Sequence, residues 1–200
     1  MARSTSTSGR NTDAPRDAIA LLKQDHRTVS QLFEEFEDAD EEEQASIAQR
    51  VCQLLTVHAQ IEEELLYPQA KEAFEGEEES EDLVNEAEVE HTSAKELIAK
   101  IEGMSSGDEQ FKATVTVLGE YIKHHVKEEE GELFPQLKKT EIDLKELGTR
   151  LADRKFALME QMGIEEEEPA QPRKRSAGKG SRGASRSKSG NRRSGSRARH

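Results

Sequence analysis

A chain of 200 residues with 36% charged residues, 4% aromatic residues and no Trp has the material for one helical domain with a modest core, not for several large ones. Its single cysteine, Cys52, excludes an intramolecular disulfide framework and points to a reducing compartment. No apolar run approaches the length of a membrane span, so a cytoplasmic protein is expected. The net charge of −13 hides two unlike parts, because residues 171–200 hold 11 Lys or Arg and no acidic residue, which leaves 18 basic against 42 acidic residues in the remainder.

Residues 1–14 lack the apolar core of a secretory signal and read as a disordered arm. Residues 15–140 carry a bundle. In its first helix, introduced by Asp13 and Pro15, the residues Ile19, Leu22, His26, Val29, Phe33 and Phe36 recur at steps of three and four. The second places Ile47, Val51, Leu54, His58, Ile61 and Leu65 on one stripe, with Cys52 as a small buried hydrophobe. The third runs through Val84, Ala87, His91, Ala94, Ile98 and Ile101. The fourth runs through Phe111, Val115, Leu118, Ile122, His125 and Glu129. Ser80 and Asp108 are the expected N-caps of these last two. Pro68 and Pro135 should kink or end the regular second and fourth helices. Thr140 and Asp143 suggest a capping pair for an additional helix within 141–163, from about Ile142 to Met162. Its apolar positions Leu144, Leu147, Leu151, Leu158 and Met159 would pack outside the bundle. Residues 164–200 form a disordered tail, basic from 171. Short links favour antiparallel neighbours, hence an all-α, up-down-up-down four-helix bundle.

One line is written twice. HAQIEEELLYP, from His58 to Pro68, returns 67 positions later as HVKEEEGELFP, from His125 to Pro135. Asp25-His26 likewise returns as Glu90-His91, 65 positions later. The period suggests two halves of one small domain. Each bundle helix thus carries a histidine on its inward stripe, and two add a carboxylate one turn later on the same face. Buried carboxylates must be paired, protonated or bound to metal, and no Lys or Arg shares these stripes. The set His26, His58, Glu62, His91, His125 and Glu129 therefore reads as a metal site. Imidazole with carboxylate suits iron, manganese or zinc. Six ligands exceed what one tetrahedral zinc takes, whereas two metals sharing carboxylates account for both the count and the repeat.

His26, His58-x-x-x-Glu62, His91 and His125-x-x-x-Glu129 resemble the pattern of the hemerythrin-like HHE cation-binding domains over about residues 17–140, with Leu66-Tyr67-Pro68 and Leu133-Phe134-Pro135 as supporting marks. The resemblance implies two iron ions, oxo- or hydroxo-bridged, that meet dioxygen, peroxide or nitric oxide. It implies His26, His58, His91 and His125 as terminal ligands, with Glu62 and Glu129 as bridges. Oxygen-carrying relatives have a further histidine where this chain has Lys95, and space their last carboxylate as Glu130 is spaced; the internal repeat selects Glu129. The missing histidine leaves one iron more open, or recruits water or a carboxylate such as Glu63. That points away from reversible oxygen carriage and toward sensing or redox turnover. His124 faces about 100° away from His125 and reads as solvent-facing or supporting.

The acidic runs Glu41-Glu42-Glu43, Glu77-Glu78-Glu79 and Glu165 to Glu168 read as solvated faces. Tyr67 and Tyr121 are candidates for a redox or supporting role, with core packing the preferred reading of both. The basic segment 171–200 has the composition of a phosphate-binding arm without aromatics for base stacking, so non-specific nucleic acid contact is an expected partnership. The functional expectation is binding or sensing of a small oxidant, in oxidative or nitrosative stress or iron handling. The alternatives are a peroxide- or nitric oxide-consuming enzyme, and a DNA-associated redox switch acting through the basic tail.

Overall fold

A computed structural model of the chain describes residues 17–165. Among these, every regular element is helical: α1 (Ala18–Asp38), α2 (Glu41–Ile61), α3 (Tyr67–Ala73), α4 (Glu78–Glu102), α5 (Phe111–Glu128), α6 (Phe134–Leu137) and α7 (Leu144–Met162). The segments Glu62–Leu66 and Glu129–Leu133 are π-helical and join α2 to α3 and α5 to α6. The four long rods are antiparallel neighbours, with α1 against α2 and α5, and α4 against α2 and α5. The additional helix α7 lies on α1 and α2.

Three helix starts, those of α1, α2 and α7, use a side-chain acceptor. Asp17 accepts from the Ala20 N–H at 2.8 Å. Asp40 accepts from Glu42 and Glu43 N–H, each at 3.1 Å, and Asp143 from Lys145 and Glu146 N–H, each at 3.0 Å. Each carboxylate satisfies donors that a first helical turn leaves open. Three cap assignments made from sequence change. Ser80 lies inside α4, buried, and Glu78, Glu79 and Glu81 supply first-turn negative charge instead. Asp108 closes a turn with the Ser105 N–H (2.7 Å), and α5 starts later, at Phe111. Asp143 alone caps α7; the Thr140 hydroxyl donates to the Leu137 carbonyl and accepts from the Ile142 N–H at 3.3 Å, ahead of the helix. Asp13 and Pro15 lie outside the described residues, as do the arm 1–14 and the basic segment 171–200. Gly163, at φ +65°, ends α7 in a left-handed cap that lets Ile164 N–H reach the Met159 carbonyl at 2.9 Å.

The prolines do not end their helices. Regular α geometry breaks earlier, at Glu62 and Glu129, and resumes at Tyr67 and Phe134. Tyr67 N–H reaches back to the Glu62 carbonyl and Phe134 N–H to that of Glu129, the five-residue span of a π turn. The wider turn carries the chain past a ring that lacks an N–H and would clash with a carbonyl one α-turn back.

The core has two apolar parts. One holds Leu22, Ile61, Leu66, Tyr67, Phe74, Leu133, Phe134, Leu147 and Leu151. The other holds Val29, Phe36, Cys52, Leu55, Ile98, Phe111, Leu118 and Ile122. Each fully buried Leu, Ile or Phe contributes about 1.5–3 kcal/mol relative to exposure. Along each rod a histidine falls at the junction of the two parts: His26 between Leu22 and Val29, His58 between Leu55 and Ile61, His91 between Ala87 and Ala94, His125 between Ile122 and Leu133. The bundle therefore holds a polar layer between two apolar ones.

Candidate metal centre

The helical phase of each rod turns its histidine into this layer, and the four side chains are nearly solvent-free. Their Nε2 atoms converge. His26 and His58 Nε2 stand 3.2 Å apart, as do His91 and His125 Nε2. The first residue of each π segment adds a carboxylate. Glu62 Oε2 lies 3.2 Å from His58 Nε2 and 3.4 Å from His91 Nε2. Glu129 Oε2 lies 3.3 Å from His26 Nε2 and 3.6 Å from His125 Nε2. Each glutamate thus stands between a histidine of its own half and one of the other half.

Within this layer, two groups of side chains bring their ligand atoms within 4.8 Å of one another: His26, His58, Glu62 and Glu129, and Glu62, His91 and His125. They share Glu62. Both oxygens of Glu62 and Oε2 of Glu129 are buried without a hydrogen bond. A buried carboxylate in that state is expensive unless a cation completes it. The donor set, imidazole nitrogen and carboxylate oxygen without thiolate, fits borderline divalent or trivalent metals. The residues therefore fit a bound metal cation.

An outer ring of carboxylates faces the other nitrogens. His26 Nδ1 donates to Glu130 Oε1 (3.0 Å), His91 Nδ1 to Glu63 Oε1 (3.0 Å) and His125 Nδ1 to Glu90 Oε2 (2.7 Å). His58 Nδ1 points at Asp25 Oδ2 from 3.6 Å, beyond hydrogen-bond length. In a neutral imidazole, a proton held on Nδ1 leaves the Nε2 lone pair facing inward, the tautomer a metal ligand needs. Three of these carboxylates are closed from outside by an ammonium: Glu130 by Lys23 (2.7 Å), Glu63 by Lys95 (2.6 Å) and Asp25 by Lys155 (2.5 Å). Lys155 comes from α7, so the additional helix supports His58 from outside the bundle.

Charge follows geometry. Burial alone would lower His26, but Glu129 and Glu62 beside it raise it from 6.5 to about 9. His91 is likewise raised to about 9 against its burial, by Glu62 and Glu63. Burial pushes the Asp25 carboxyl up, and His58 and Lys155 more than reverse this, leaving it below its usual value. Glu129 is held low, to about 2, because His125, His26 and His58 outweigh its burial. Clustered positive partners keep that carboxylate ionised.

The structure brings His26, His58, Glu62, His91, His125 and Glu129 into one layer. It places Glu130 outward on His26, and Glu63 on His91 and Lys95 rather than toward the centre. Tyr67, read from sequence as core packing, is fully buried. Its hydroxyl nevertheless donates to Glu129 Oε1 at 3.0 Å and lies 3.2 Å from His91 Nε2. Phe134, its counterpart in the other half, stacks on His26 with ring centroids 5.9 Å apart. Each Leu-aromatic-Pro line therefore sets its ring on the other half's first histidine. The sequence marked Asp25 and Glu90 only as part of the repeat, Glu63 as a candidate extra ligand and Glu130 as the alternative last carboxylate; the role of all four in backing Nδ1 atoms was missed. Their signal was present, since Asp25 and Glu90 are 65 apart and Glu63 and Glu130 are 67 apart, the same offsets as the histidines.

A DNA nickase from Nostoc sp. (strain PCC 7120 / SAG 25.82 / UTEX 2576) is 29% identical over 119 residues, which is 59% of this chain and 32% of that protein. The chain thus spans about a third of that relative's length. The crystal structure of a hemerythrin HHE cation binding domain-containing protein from Mycobacterium kansasii superposes with a TM-score of 0.62 at 21% identity, covering 72% of this chain and 88% of that one. The two proteins share a fold. The family description "Hemerythrin HHE cation binding domain" matches residues 17–137, the stretch that contributes every inward histidine and glutamate of the polar layer. The chain accordingly belongs to the hemerythrin HHE family of cation-binding domains.

Proposed function

We propose that the layer holds two iron ions and that the protein binds or senses a small oxidant: dioxygen, peroxide or nitric oxide. The observation that carries this reading is the sharing of Glu62 by two buried ligand groups, since one carboxylate common to two groups is what a paired-metal site requires. His26 and His58 would serve one ion, His91 and His125 the other, with Glu62 and Glu129 between them. Iron in such a site would supply one-electron chemistry and open coordination positions. The chain's own residues orient the His26, His91 and His125 imidazoles through Nδ1, keep Glu129 ionised and exclude water.

The approach to the layer supports a small, weakly polar ligand. A cavity beside the histidines is walled by Val29, Leu55, Ala59, Ala94, Ile98 and Ile122. Walls of this kind suit a small, weakly polar ligand better than a large one. Lys95 also borders this cavity. Its ammonium is committed to Glu63, which leaves the position without the additional imidazole of oxygen carriers and favours sensing or turnover over reversible carriage. The physiological setting we propose is oxidative or nitrosative stress, or iron handling, in the cytoplasm. No helix among the described residues is long and apolar enough to cross a membrane.

Metal content per chain and the ultraviolet-visible spectrum, taken on one aerobically purified sample, test this reading. Two irons with oxo-bridge charge-transfer bands, lost in a His58→Ala/His125→Ala double variant, support it. One zinc per chain, or no metal, overturns it. Titration with peroxide and nitric oxide then separates a binder, which changes spectrum without turnover, from an enzyme that consumes either one.

A second reading concerns residues 171–200, whose 11 basic residues and lack of acids suit contact with a nucleic-acid backbone. The name of the Nostoc relative, a DNA nickase, lends it support. Binding through phosphates should fall steeply with salt and disappear when residues 171–200 are removed. Binding that survives the truncation refutes it.

A further inference from the structure

The two halves differ on one face. In the first half, the carboxylate that backs a bundle histidine, Asp25, is closed by Lys155 of α7. The neighbouring α2 positions Val57 and Ile61 are buried in the apolar part that also contains Leu147, Leu151 and Leu158 of α7. The repeat maps Asp25 onto Glu90, Val57 onto His124 and Ile61 onto Glu128. Where α7 covers the first half with hydrocarbon and an ammonium, the second half offers an imidazole and two carboxylates.

These three groups converge. His124 Nε2 lies 3.0 Å from Glu128 Oε1, one turn along α5, and 3.8 Å from Glu90 Oε1, across on α4. The side chain of Glu90 is 9% exposed and that of His124 58% exposed. Glu90 Oε2 is taken by His125 at 2.7 Å. Among the described residues, its Oε1 has no hydrogen bond and faces the His124 ring. Of the outer-ring carboxylates, Glu90 is the one that faces an imidazole, His124, where the others are closed by a lysine. Donors on a tetrahedral ion of zinc's size stand about 3.3 Å apart, and the observed separations bracket that value.

We infer that His124, Glu128 and Glu90 form a separate surface site for a divalent first-row transition ion, filling the place that Lys155 fills in the other half. Two carboxylates and a neutral imidazole call for a doubly charged ion. The imidazole selects zinc-, cobalt- or ferrous-type ions over calcium and magnesium, which prefer all-oxygen shells. Three protein ligands leave one position to water, as in open zinc sites. An ion held there sits one carboxylate away from His125, on the outside of the buried centre.

Cobalt(II) is the probe. The full-length chain is purified with the metals of its buried centre counted, then titrated with cobalt(II) by calorimetry and visible absorption. The expected result is one further cobalt per chain, undisturbed by excess magnesium, with the centre's metal count unchanged. His124→Ala and Glu128→Gln, both at solvent-accessible side chains, should each weaken that cobalt by at least the roughly 10–100-fold that losing a supporting partner costs. Equal affinity in the parent and both variants overturns the inference. So does cobalt uptake that only displaces ions from the centre. Because the readout is the added equivalent, it stands or falls independently of which metals fill the buried layer.

Discussion

The Tyr67 hydroxyl donates a 3.0 Å hydrogen bond to Glu129 Oε1, so an aromatic of the first half fixes a carboxylate of the second. The matching place in the other half holds Phe134, which has no hydroxyl to offer Glu62, and both Glu62 oxygens are left without a hydrogen bond. The centre is therefore pseudo-symmetric in its ligands and asymmetric in its support. Tyr67→Phe removes the partner of Glu129 Oε1 and leaves a buried acceptor open, at a cost of about 1–3 kcal/mol. The metal-free protein should lose stability by that amount in urea, while the metal-loaded protein loses less because an ion can take up the carboxylate. An equal loss in both forms would show that the hydroxyl acts on packing alone.

Glu129 and Glu130 are adjacent and do different work. Glu129 is buried among Nε2 atoms, whereas Glu130 holds His26 Nδ1 and Lys23 at the surface. Glu129→Gln should empty at least one metal position, and Glu130→Gln should keep both with affinity reduced by roughly 10–100-fold. Metal counted after dialysis against a chelator distinguishes them, and the reverse ranking would reassign the ligand.

Metal loading should release protons. His26 and His91 are raised to about 9 in the metal-free chain, so both are protonated near neutrality, yet a ligating imidazole must be neutral. Loading at about pH 7.5 should then expel at least about two more protons per chain than loading at about pH 10, since His125, raised against its burial by Glu129 and Glu90, adds to the release. Apparent affinity should climb as pH rises toward 9 and flatten above it. The sign for stability is opposite. Groups raised on folding stabilise the metal-free fold fully below 6.5, and that contribution is lost as pH passes through about 9. Calorimetry in buffers of different ionisation enthalpy reads the protons directly. A proton count independent of pH would contradict the assignment.

Helix α7 acts at a distance through one lysine, and its seat depends on Gly148. A Cβ at that position would meet Ala18 N and the Asp17 carbonyl carbon at 2.6 Å, both backbone atoms. Gly148→Ala should cost about 1–3 kcal/mol through overpacking, whereas at Gly131 a Cβ meets nothing within 4 Å and Ala should be tolerated. Lys155→Met tests the remaining link. It leaves the helix backbone as it is but strips the nearly buried Asp25 of its ammonium, so metal should dissociate faster and the metal-free chain should lose stability as well. Unaltered dissociation would show that the Lys155–Asp25 contact holds α7 on the bundle without reaching the centre.

The fold and the inward residues were legible because both rest on short-range periodicity. Steps of three and four put His26 and Leu22 on one face, and a spacing of four puts Glu62 over His58. The bundle class and the family pattern follow from such local facts. Contacts that cross between rods were not legible. Whether Glu130 or Glu129 points inward depends on the wider turn that begins at Glu129, and nothing in the notation Leu-Phe-Pro announces a π segment rather than a helix end. Ser80 and Asp108 have good capping chemistry in isolation. Burial claimed one and a turn the other, a tertiary decision that intrinsic preference does not contain.

The outer ring also crosses between halves. His26 leans on Glu130 and on the Phe134 ring, and His91 leans on Glu63 and on the Tyr67 ring. A fragment ending after α3 would carry two finished-looking histidines with neither supporting carboxylate nor aromatic for the first of them. It could complete itself only by clasping a second copy, at whatever concentration that copy happened to be. Joining the halves through the connection from α3 to α4 replaces that chance encounter with a tethered one, at the millimolar-range effective concentration typical of short linkers. The covalent joint thus makes assembly of the centre independent of how much protein the cell contains.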